Sequence, residues 1–456
     1  MKPVLRVEEM HAVDAEALRT VSEETLVERA GTAVATWALR LLGGSYGRHV
    51  VVVAGKGNNG ADGRVAAARL RRRGAAVTVV EATAAPDRIG TAGTVDLVID
   101  AAYGTGFRGT YRAPAVPAGV PVLAVDIPSG VNGDTGEACG EPLRADLTVT
   151  FAALKTGLVQ GDGSLLAGRV EVADIGLDVG RARMWVIEDA DVARLLAPRP
   201  RDAHKWLSAL AVVAGSPGMT GAAGLCARAA YRAGAGMVRL GIPGGDLSDL
   251  PVSEAVGASL PVAGWAAEAL AMSQRCRALV VGPGLGRTDA TVADVRGLVT
   301  SASVPVVVDA DGLFALGTGE EIGTALGPTA VLTPHDGEFT RLAGAPPGTD
   351  RIAAATALAQ RCGAVVLLKG PTTVVAEPVG SVLLATAGSP RLATAGTGDV
   401  LSGVIGAFVA RGVGLHHAAA LAAHVHGRAA ELGSPEGLVA GDLAELIGRW
   451  LSGMRR

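Results

Sequence analysis

The residues best suited to chemistry lie in glycine loops that each follow a short apolar run. The most distinctive is Ala393-Thr394-Ala395-Gly396-Thr397-Gly398-Asp399-Val400, which continues into LSGVIGAFVARG. Glycines here open a helix whose first amides can form an anion hole, with Asp399 fixed in its first turn. An aspartate so placed can act as base on an alcohol attacking a phosphoryl group, while the amides stabilise the transferring charge. Upstream, Lys369-Gly370-Pro371-Thr372-Thr373 follows a strand-like run and suits nucleotide phosphates, although a plain hairpin turn has the same composition. Four more loops end apolar runs: GSPGMTGAA at 215–223, GPGLG at 282–286, DADG at 309–312 and TPHDGE at 333–338. Singly each reads as a turn; grouped around one sheet edge they read as the surround of a ligand. No GxxxxGK[ST] occurs, so the phosphate site is not a P-loop.

The first half carries a different set. A Val-rich run leads into Gly55-Lys56-Gly57-Asn58-Asn59-Gly60-Ala61-Asp62-Gly63, with Glu81 further on. GxGxxG between strand and helix suits a dinucleotide-binding turn; a glycine turn needed only for packing is the competing reading. Two later runs end in Asp100 and in Asp126-Ile127-Pro128-Ser129-Gly130, and the first continues into Tyr103-Gly104-Thr105-Gly106-Phe107-Arg108-Gly109-Thr110. Ligands of open α/β sheets bind beyond the carboxyl ends of the strands. Asn59, Asp62, Asp100, Asp126 and Ser129 at three such ends suit a hard cation beside phosphate-cradling loops. Helix capping accounts for one of the five, not for all. His416, His417, His424 and His426 lack an acidic ligand at metal spacing, so a helix surface or interface is expected there rather than zinc.

These loops need strands and helices to hold them. Two helices are predicted at 7–22 and 23–42, then apolar runs at 49–55, 76–80, 95–100, 120–126 and 147–151. Between the first two runs, DGRVAAARLRRRG spaces Val65, Ala66 and Leu70 as an amphipathic helix. Short Val-rich runs alternating with helices imply buried parallel strands in a doubly wound α/β sheet. The pattern restarts with runs at 210–214, 237–242, 278–281, 305–309, 330–332 and 364–368, and an antiparallel addition at 380–385. Pro198-Arg199-Pro200-Arg201-Asp202 is the natural linker. Two α/β domains are therefore expected, at 1–190 and 198–456.

Composition agrees. The 456 residues include 64 glycines, about twice the usual share of about 7%. With 49% hydrophobic residues the chain can bury large cores, so the glycines read as tight turns rather than low complexity. A net charge of −3 and 3% aromatics argue against nucleic-acid binding through phosphate contacts or base stacking. Cys139, Cys226, Cys276 and Cys362 form no CxxC pair, which fits a reducing compartment. The N-terminal stretch lacks a signal-peptide core, and no long uncharged apolar run occurs. A soluble cytoplasmic protein without membrane or nucleic-acid partners is expected, and the Ala-rich C-terminal helices suggest a homo-oligomer.

The ordered motifs resemble the bifunctional NAD(P)H-hydrate repair enzyme family, which joins an NAD(P)HX epimerase domain of Rossmann-like fold to an ADP-dependent (S)-NAD(P)HX dehydratase domain of ribokinase-like fold. Val27-Glu28-Arg29-Ala30-Gly31, GNNGADG, Asp100 with GTGFRG, and DIPSG are similar to the epimerase markers. His204-Lys205, GSPGMTGAA, GPGLG, DADGL, TPHDGE, KGPTT and AGTGD are similar to the dehydratase markers. The resemblance implies that Asn58, Asn59, Gly60, Ala61 and Asp62, the loop Gly104, Thr105, Gly106, Phe107, Arg108, Gly109 and Thr110, and Asp126 bind the hydrated coenzyme. Asp126 is the implied acid/base, and Asn59, Asp100 and Ser129 the implied potassium ligands. Ala223, Gly286 and His335 would face the S-hydrate. Lys369, Gly370, Pro371, Thr372, Thr373 and Gly398 would bind ADP, with Mg2+, and Asp399 would activate the substrate hydroxyl. Phosphorylation turns that hydroxyl into a leaving group the ring nitrogen can expel.

Three positions depart from the family pattern: Ala61 for glycine in NNGGD, Trp206 for glycine after His204-Lys205, and Asp336-Gly337 for the usual proline-glycine after His335. Ala61 is compatible if its φ is negative; Asp336 puts an extra carboxylate near the implied substrate site. A small-alcohol kinase would also use AGTGD and KGPTT but has no need of GNNGADG and DIPSG. A non-catalytic binding module would not need both Asp126 and Asp399.

Overall fold

The computed structural model describes residues 1–91, 93–318, 326 and 329–454. The chain forms two compact units, Lys2–Arg183 and Met184–Arg456. In the first, six parallel strands lie in the order Arg169–Ala173, Leu147–Phe151, Val122–Val125, Leu97–Ala101, His49–Ala54, Ala76–Glu81. The central strands are buried along their length, as Val-rich strands covered on both faces must be. From His49–Ala54 the chain steps outward to Ala76–Glu81, then returns past its starting strand to Leu97–Ala101. The winding reverses between those two neighbours, and the crevice for a ligand opens there.

Helix Glu23–Leu42 starts where the Ser22 side chain accepts from the Thr25 amide and stops at Gly43, whose φ is 68°. Gly31 lets it cross helix Asn58–Arg72 closely, since a Cβ there would lie 2.5 Å from Val65 Cβ. The first helix ends at Ala17 rather than at residue 22, because Ser22 is spent capping its successor.

In the second unit the strand order is Val256–Leu260, Met237–Pro243, Ala209–Val213, Ala278–Val281, Val306–Val308, Ala330–Leu332, Val365–Leu368, Thr373–Ala376, Val382–Ala385, Met184–Val186. Pairing is parallel through Val365–Leu368, and the two strands after it run antiparallel, as expected for 380–385. Here the winding reverses between Ala209–Val213 and Ala278–Val281. Helix Thr397–Ala410 is buried from Val400 to Ala410. It packs so closely on helix Thr220–Arg232 that a Cβ at Gly403 would lie 2.1 Å from the Cys226 carbonyl oxygen.

The units divide earlier than the proline-rich linker suggested. Met184–Val186 pairs in parallel with Val382–Ala385. Asp189 then bonds His424 Nε2 at 2.7 Å and Arg428 at 2.9 and 3.0 Å. Residues 184–197 therefore belong with the second unit; a three-residue strand is too short for its pattern to show. Of the helix surface or interface expected for the histidines, the structure shows an interface: His416, His424 and His426 are buried, and His416 Nε2 lies 2.9 Å from the Val375 carbonyl. No described helix is long and apolar enough to cross a membrane.

Two candidate active sites

In the N-terminal unit a cavity of about 580 Å³ sits at the winding reversal. Its wall includes Gly55, Gly57, Asn58 and Asn59 after the first strand, Tyr103 to Phe107 after the third, and Asp126 after the fourth. Gly60 is needed where helix Asn58–Arg72 starts against the strand end, because a Cβ would fall 1.9 Å from the Gly55 carbonyl oxygen. Ala61 lies within that helix and its φ is not positive, so the missing glycine costs the loop no strain. Arg64 holds Glu81 through both carboxylate oxygens, at 2.6 and 2.7 Å, and the Gly55 carbonyl at 2.7 Å.

Asp126 has φ 66°, a left-handed conformation that costs a non-glycine residue on the order of 1–3 kcal/mol. What holds it is Lys155, only 1% exposed. The ammonium lies 2.6 Å from Asp126 Oδ1 and donates to Thr150 Oγ1 at 2.9 Å and to the Phe151 carbonyl at 3.0 Å. Thr150 Oγ1 in turn donates to Asp126 Oδ1 at 3.0 Å. Asp62 and Asp14 also line this cavity. Burial, followed by the Asp126 charge, pushes the Asp62 carboxyl up to about 8. Burial likewise raises Asp14.

Behind the cavity wall, Asp100 is wholly buried. Its Oδ1 accepts from Ser129 Oγ at 2.6 Å and its Oδ2 from the Ser129 amide at 2.9 Å. Burial raises its carboxyl, and among the described residues no side-chain cation pairs with it. Asn59 faces the neighbouring loop, its Oδ1 3.4 Å from where a Cβ on Gly104 would stand, and its buried Nδ2 has no partner among the described residues. A buried carboxyl with no cation beside it and the Ser129 hydroxyl at 2.6 Å fits a monovalent cation, to which the Asn59 amide oxygen could add a ligand. Arg108, Gly109 and Thr110 are exposed and lie off the cavity wall.

In the C-terminal unit the loops at 215–221 and 282–286 meet at the second winding reversal. The Gly215 amide donates to the Pro283 carbonyl at 2.7 Å, and Ser216 Oγ to the Gly284 carbonyl at 2.9 Å. Ala223 is buried in the helix they lead into. Gly286 donates its amide to Asp311 Oδ2 at 2.9 Å. The electrostatic centre is Asp309, which accepts from Lys369 Nζ at 2.9 Å, Thr333 Oγ1 at 2.7 Å and Ser402 Oγ at 2.7 Å. Burial alone would raise it, but the Lys369 charge and these hydrogen bonds outweigh burial and hold it below the usual carboxylate range. Gly398 adjoins this group, 3.5 Å from Lys369 Nζ at its would-be Cβ. Asp399 opens the helix beside it, and burial plus the Asp309 charge raise its carboxyl to about 7.

His335 caps helix Asp336–Ala343: its Nδ1 accepts from the Gly337 and Glu338 amides at 3.0 and 3.3 Å. In the neutral ring that leaves the proton on Nε2, which lies 3.5 Å from Glu338 Oε1. Asp336 pairs with Arg351, whose Nη2 also donates to the Lys369 carbonyl at 2.7 Å. The extra carboxylate thus braces the start of the KGPTT loop. Gly370 lies against that guanidinium, Pro371 is exposed, Thr372 is buried and Thr373 begins a strand.

Sequence reasoning passed over Lys155, although a lone lysine in the apolar stretch Phe151-Ala152-Ala153-Leu154-Lys155 was a legible signal. It also gave Asp309 no role beyond its loop, and Arg351 none at all.

The comparisons with known proteins divide along the same line. The family described as YjeF-related protein N-terminus matches residues 23–92 and 81–157, and that described as NAD(P)H-hydrate dehydratase matches 210–451. A bifunctional NAD(P)H-hydrate repair enzyme of Mycobacterium tuberculosis is 41% identical over 449 residues, covering 92% of each chain. The chain belongs to the bifunctional NAD(P)H-hydrate repair enzyme family. Its Salinibacter ruber member is 38% identical across 98% of this chain and 96% of its own. An ADP/ATP-dependent NAD(P)H-hydrate dehydratase of Bacillus subtilis, co-crystallised with ATP and Mg2+, is 31% identical with a TM-score of 0.53, covering 59% of this chain and 97% of that one. A ribokinase-like protein of Enterococcus faecalis, 19% identical with a TM-score of 0.54, shares the fold. Each matched repair-enzyme module falls within one compact unit.

Proposed function

We propose that the N-terminal unit interconverts R- and S-NAD(P)HX and that the C-terminal unit dehydrates the S form to NAD(P)H at the expense of ADP, giving AMP and phosphate. The observation that carries the reading is Asp399 at the mouth of a buried helix, beside the Lys369–Asp309 pair. Its raised carboxyl makes it a base able to take the substrate hydroxyl's proton near neutral pH. The amides opening that helix and the Lys369 ammonium face charge developing on the transferred phosphoryl group. His335 Nε2 supplies a donor at the rim, and Gly286 is fixed through Asp311. In the other unit the Asp126 carboxylate, held by Lys155, is the acid/base group on the hydrated ring.

Asn59, Asp100 and Ser129 are the residues that would hold potassium, whose charge would offset the buried Asp100 carboxylate. Mg2+ would arrive with the nucleotide. Four free cysteines, three of them buried, go with a cytoplasmic setting. The test supplies purified protein with potassium, Mg2+, ADP and each hydrate separately. Asp399→Asn should abolish ADP-dependent dehydration and leave epimerisation intact. Phosphorylated product persisting in place of inorganic phosphate would instead indicate a kinase, and loss of both activities in Asp399→Asn would refute two independent sites.

A further inference from the structure

The N-terminal cavity holds a carboxyl whose chemistry the reading above leaves unused. Asp62 sits one turn into helix Asn58–Arg72, is 7% exposed, and lines the same wall as Asp126 and Lys155. Among the described residues nothing donates to its carboxyl and no cation pairs with it. The charged groups around it are unequal in number. Asp126, Asp62, Asp14, Glu23 and Glu81 line the cavity with Lys155, which is buried, with Lys56, which is exposed, and with His11 from the first helix. Lys155 is committed to Asp126 at 2.6 Å. Burial and the adjacent Asp126 charge outweigh the pull of Lys155 on Asp62 and keep that carboxyl protonated at neutral pH.

We propose that Asp62 is a second catalytic residue of epimerisation, the proton donor that partners the Asp126 base. The inference rests on the epimerase reading above. The substrate's hydroxyl is borne on a ring carbon beside the ring nitrogen, so inversion there needs a group to give a proton and a group to take one. Asp62 protonates the departing oxygen, the carbon–oxygen bond breaks, and the nitrogen lone pair forms a carbon–nitrogen double bond as water leaves. Water adds to the opposite face, Asp126 accepts its proton, and the π electrons return to nitrogen. Nothing is oxidised or reduced. The proton moved from Asp62 to Asp126 returns through solvent or through the reverse turnover. Two carboxyls in one cavity with their environments pushed apart is the usual arrangement for such an acid and base.

The test uses the full chain and R-hydrate without ADP, following S-hydrate formation and uptake of 18O from labelled water. Asp62→Asn should lower kcat about 10²- to 10⁴-fold, leave KM within about threefold, and lose 18O uptake in parallel. Dehydration of supplied S-hydrate with ADP should be unchanged, which shows the chain is folded. Asp62→Glu should recover part of kcat. Wild-type kcat should fall as pH rises through about 8, a limb absent from the residual activity of Asp62→Asn. Asp62→Asn with kcat within about threefold of wild type, or with its defect confined to KM, overturns the assignment. Wild-type protein that epimerises neither hydrate overturns the epimerase reading itself.

Discussion

Replacing Lys155 by methionine removes the buried cation that faces Asp126 while keeping nearly the same side-chain volume. Breaking a buried pair by deleting one partner typically costs about 3–5 kcal/mol, because the other charge stays behind uncompensated. Asp126 is 13% exposed on the cavity wall, so water relieves part of that, and a loss of about 2–4 kcal/mol is expected. Thr150 and the Phe151 carbonyl each lose a donor as well. Asp126→Asn alone keeps an oxygen for the Lys155 ammonium and should cost less. The double variant Lys155→Met with Asp126→Asn removes both charges and should recover about 1.5–3 kcal/mol relative to Lys155→Met, a coupling read from the full cycle. Because a chain of two units need not unfold in one step, hydrogen exchange of the peptide spanning 147–159 is the assay of choice. The same variant should lose epimerisation while ADP-dependent dehydration persists. If the double variant is no better protected than Lys155→Met, the pair is not what holds Asp126 in its left-handed conformation, and the reasoning fails.

The remaining expectations concern the other site and the glycine turn. Arg351→Met removes a charged hydrogen bond to the Lys369 carbonyl, worth about 1.5–3 kcal/mol, and should raise the KM for ADP several-fold. Asp336→Pro removes only a pair whose carboxylate is 62% exposed, so its effect on melting and on KM should be at most about 1 kcal/mol in equivalent terms. Asp399 has a raised carboxyl, so ionising it costs stability as pH rises from its unfolded value through about 7. Asp399→Asn should therefore unfold later than wild type at pH 8, by on the order of 1–2 kcal/mol, and equally at pH 4; wild-type dehydration should decline below about pH 7. Gly60→Ala should destabilise the N-terminal unit by several kcal/mol, since its Cβ would meet the Gly55 carbonyl at 1.9 Å, whereas Ala61→Gly should cost about 1 kcal/mol or less, as mid-helix glycine does.

What was legible in the sequence follows from where the information is local. Buried parallel strands announce themselves as Val-rich runs, so Leu147–Phe151, Ala278–Val281 and Ala330–Leu332 fall where those runs lie. Loops at strand ends announce themselves by glycine, because the Gly55–Gly60 approach leaves no room for a Cβ and Gly215 and Gly284 take φ of 78° and 66°. Pairings between distant residues leave no such mark. Lys155 meets Asp126 across 29 positions of chain, and Asp189 meets His424 across 235, so neither the buried cation nor the true unit boundary could be read from spacing. Val256–Leu260 carries no apolar run to read, since glycine, alanine and serine fill its middle and only Leu260 is buried. Surface and interface stayed equally open for the histidines because their bonds go to a backbone carbonyl and an aspartate brought in by folding.

The short strand Met184–Val186 has a practical corollary for anyone wishing to separate the two halves. A cut at the proline-rich stretch around Pro198 would strip Val382–Ala385 of its parallel neighbour and leave His424 and Arg428 without their aspartate. A truncation beginning at Met184 keeps both, and it should yield the soluble dehydratase fragment that one beginning after Pro198 does not.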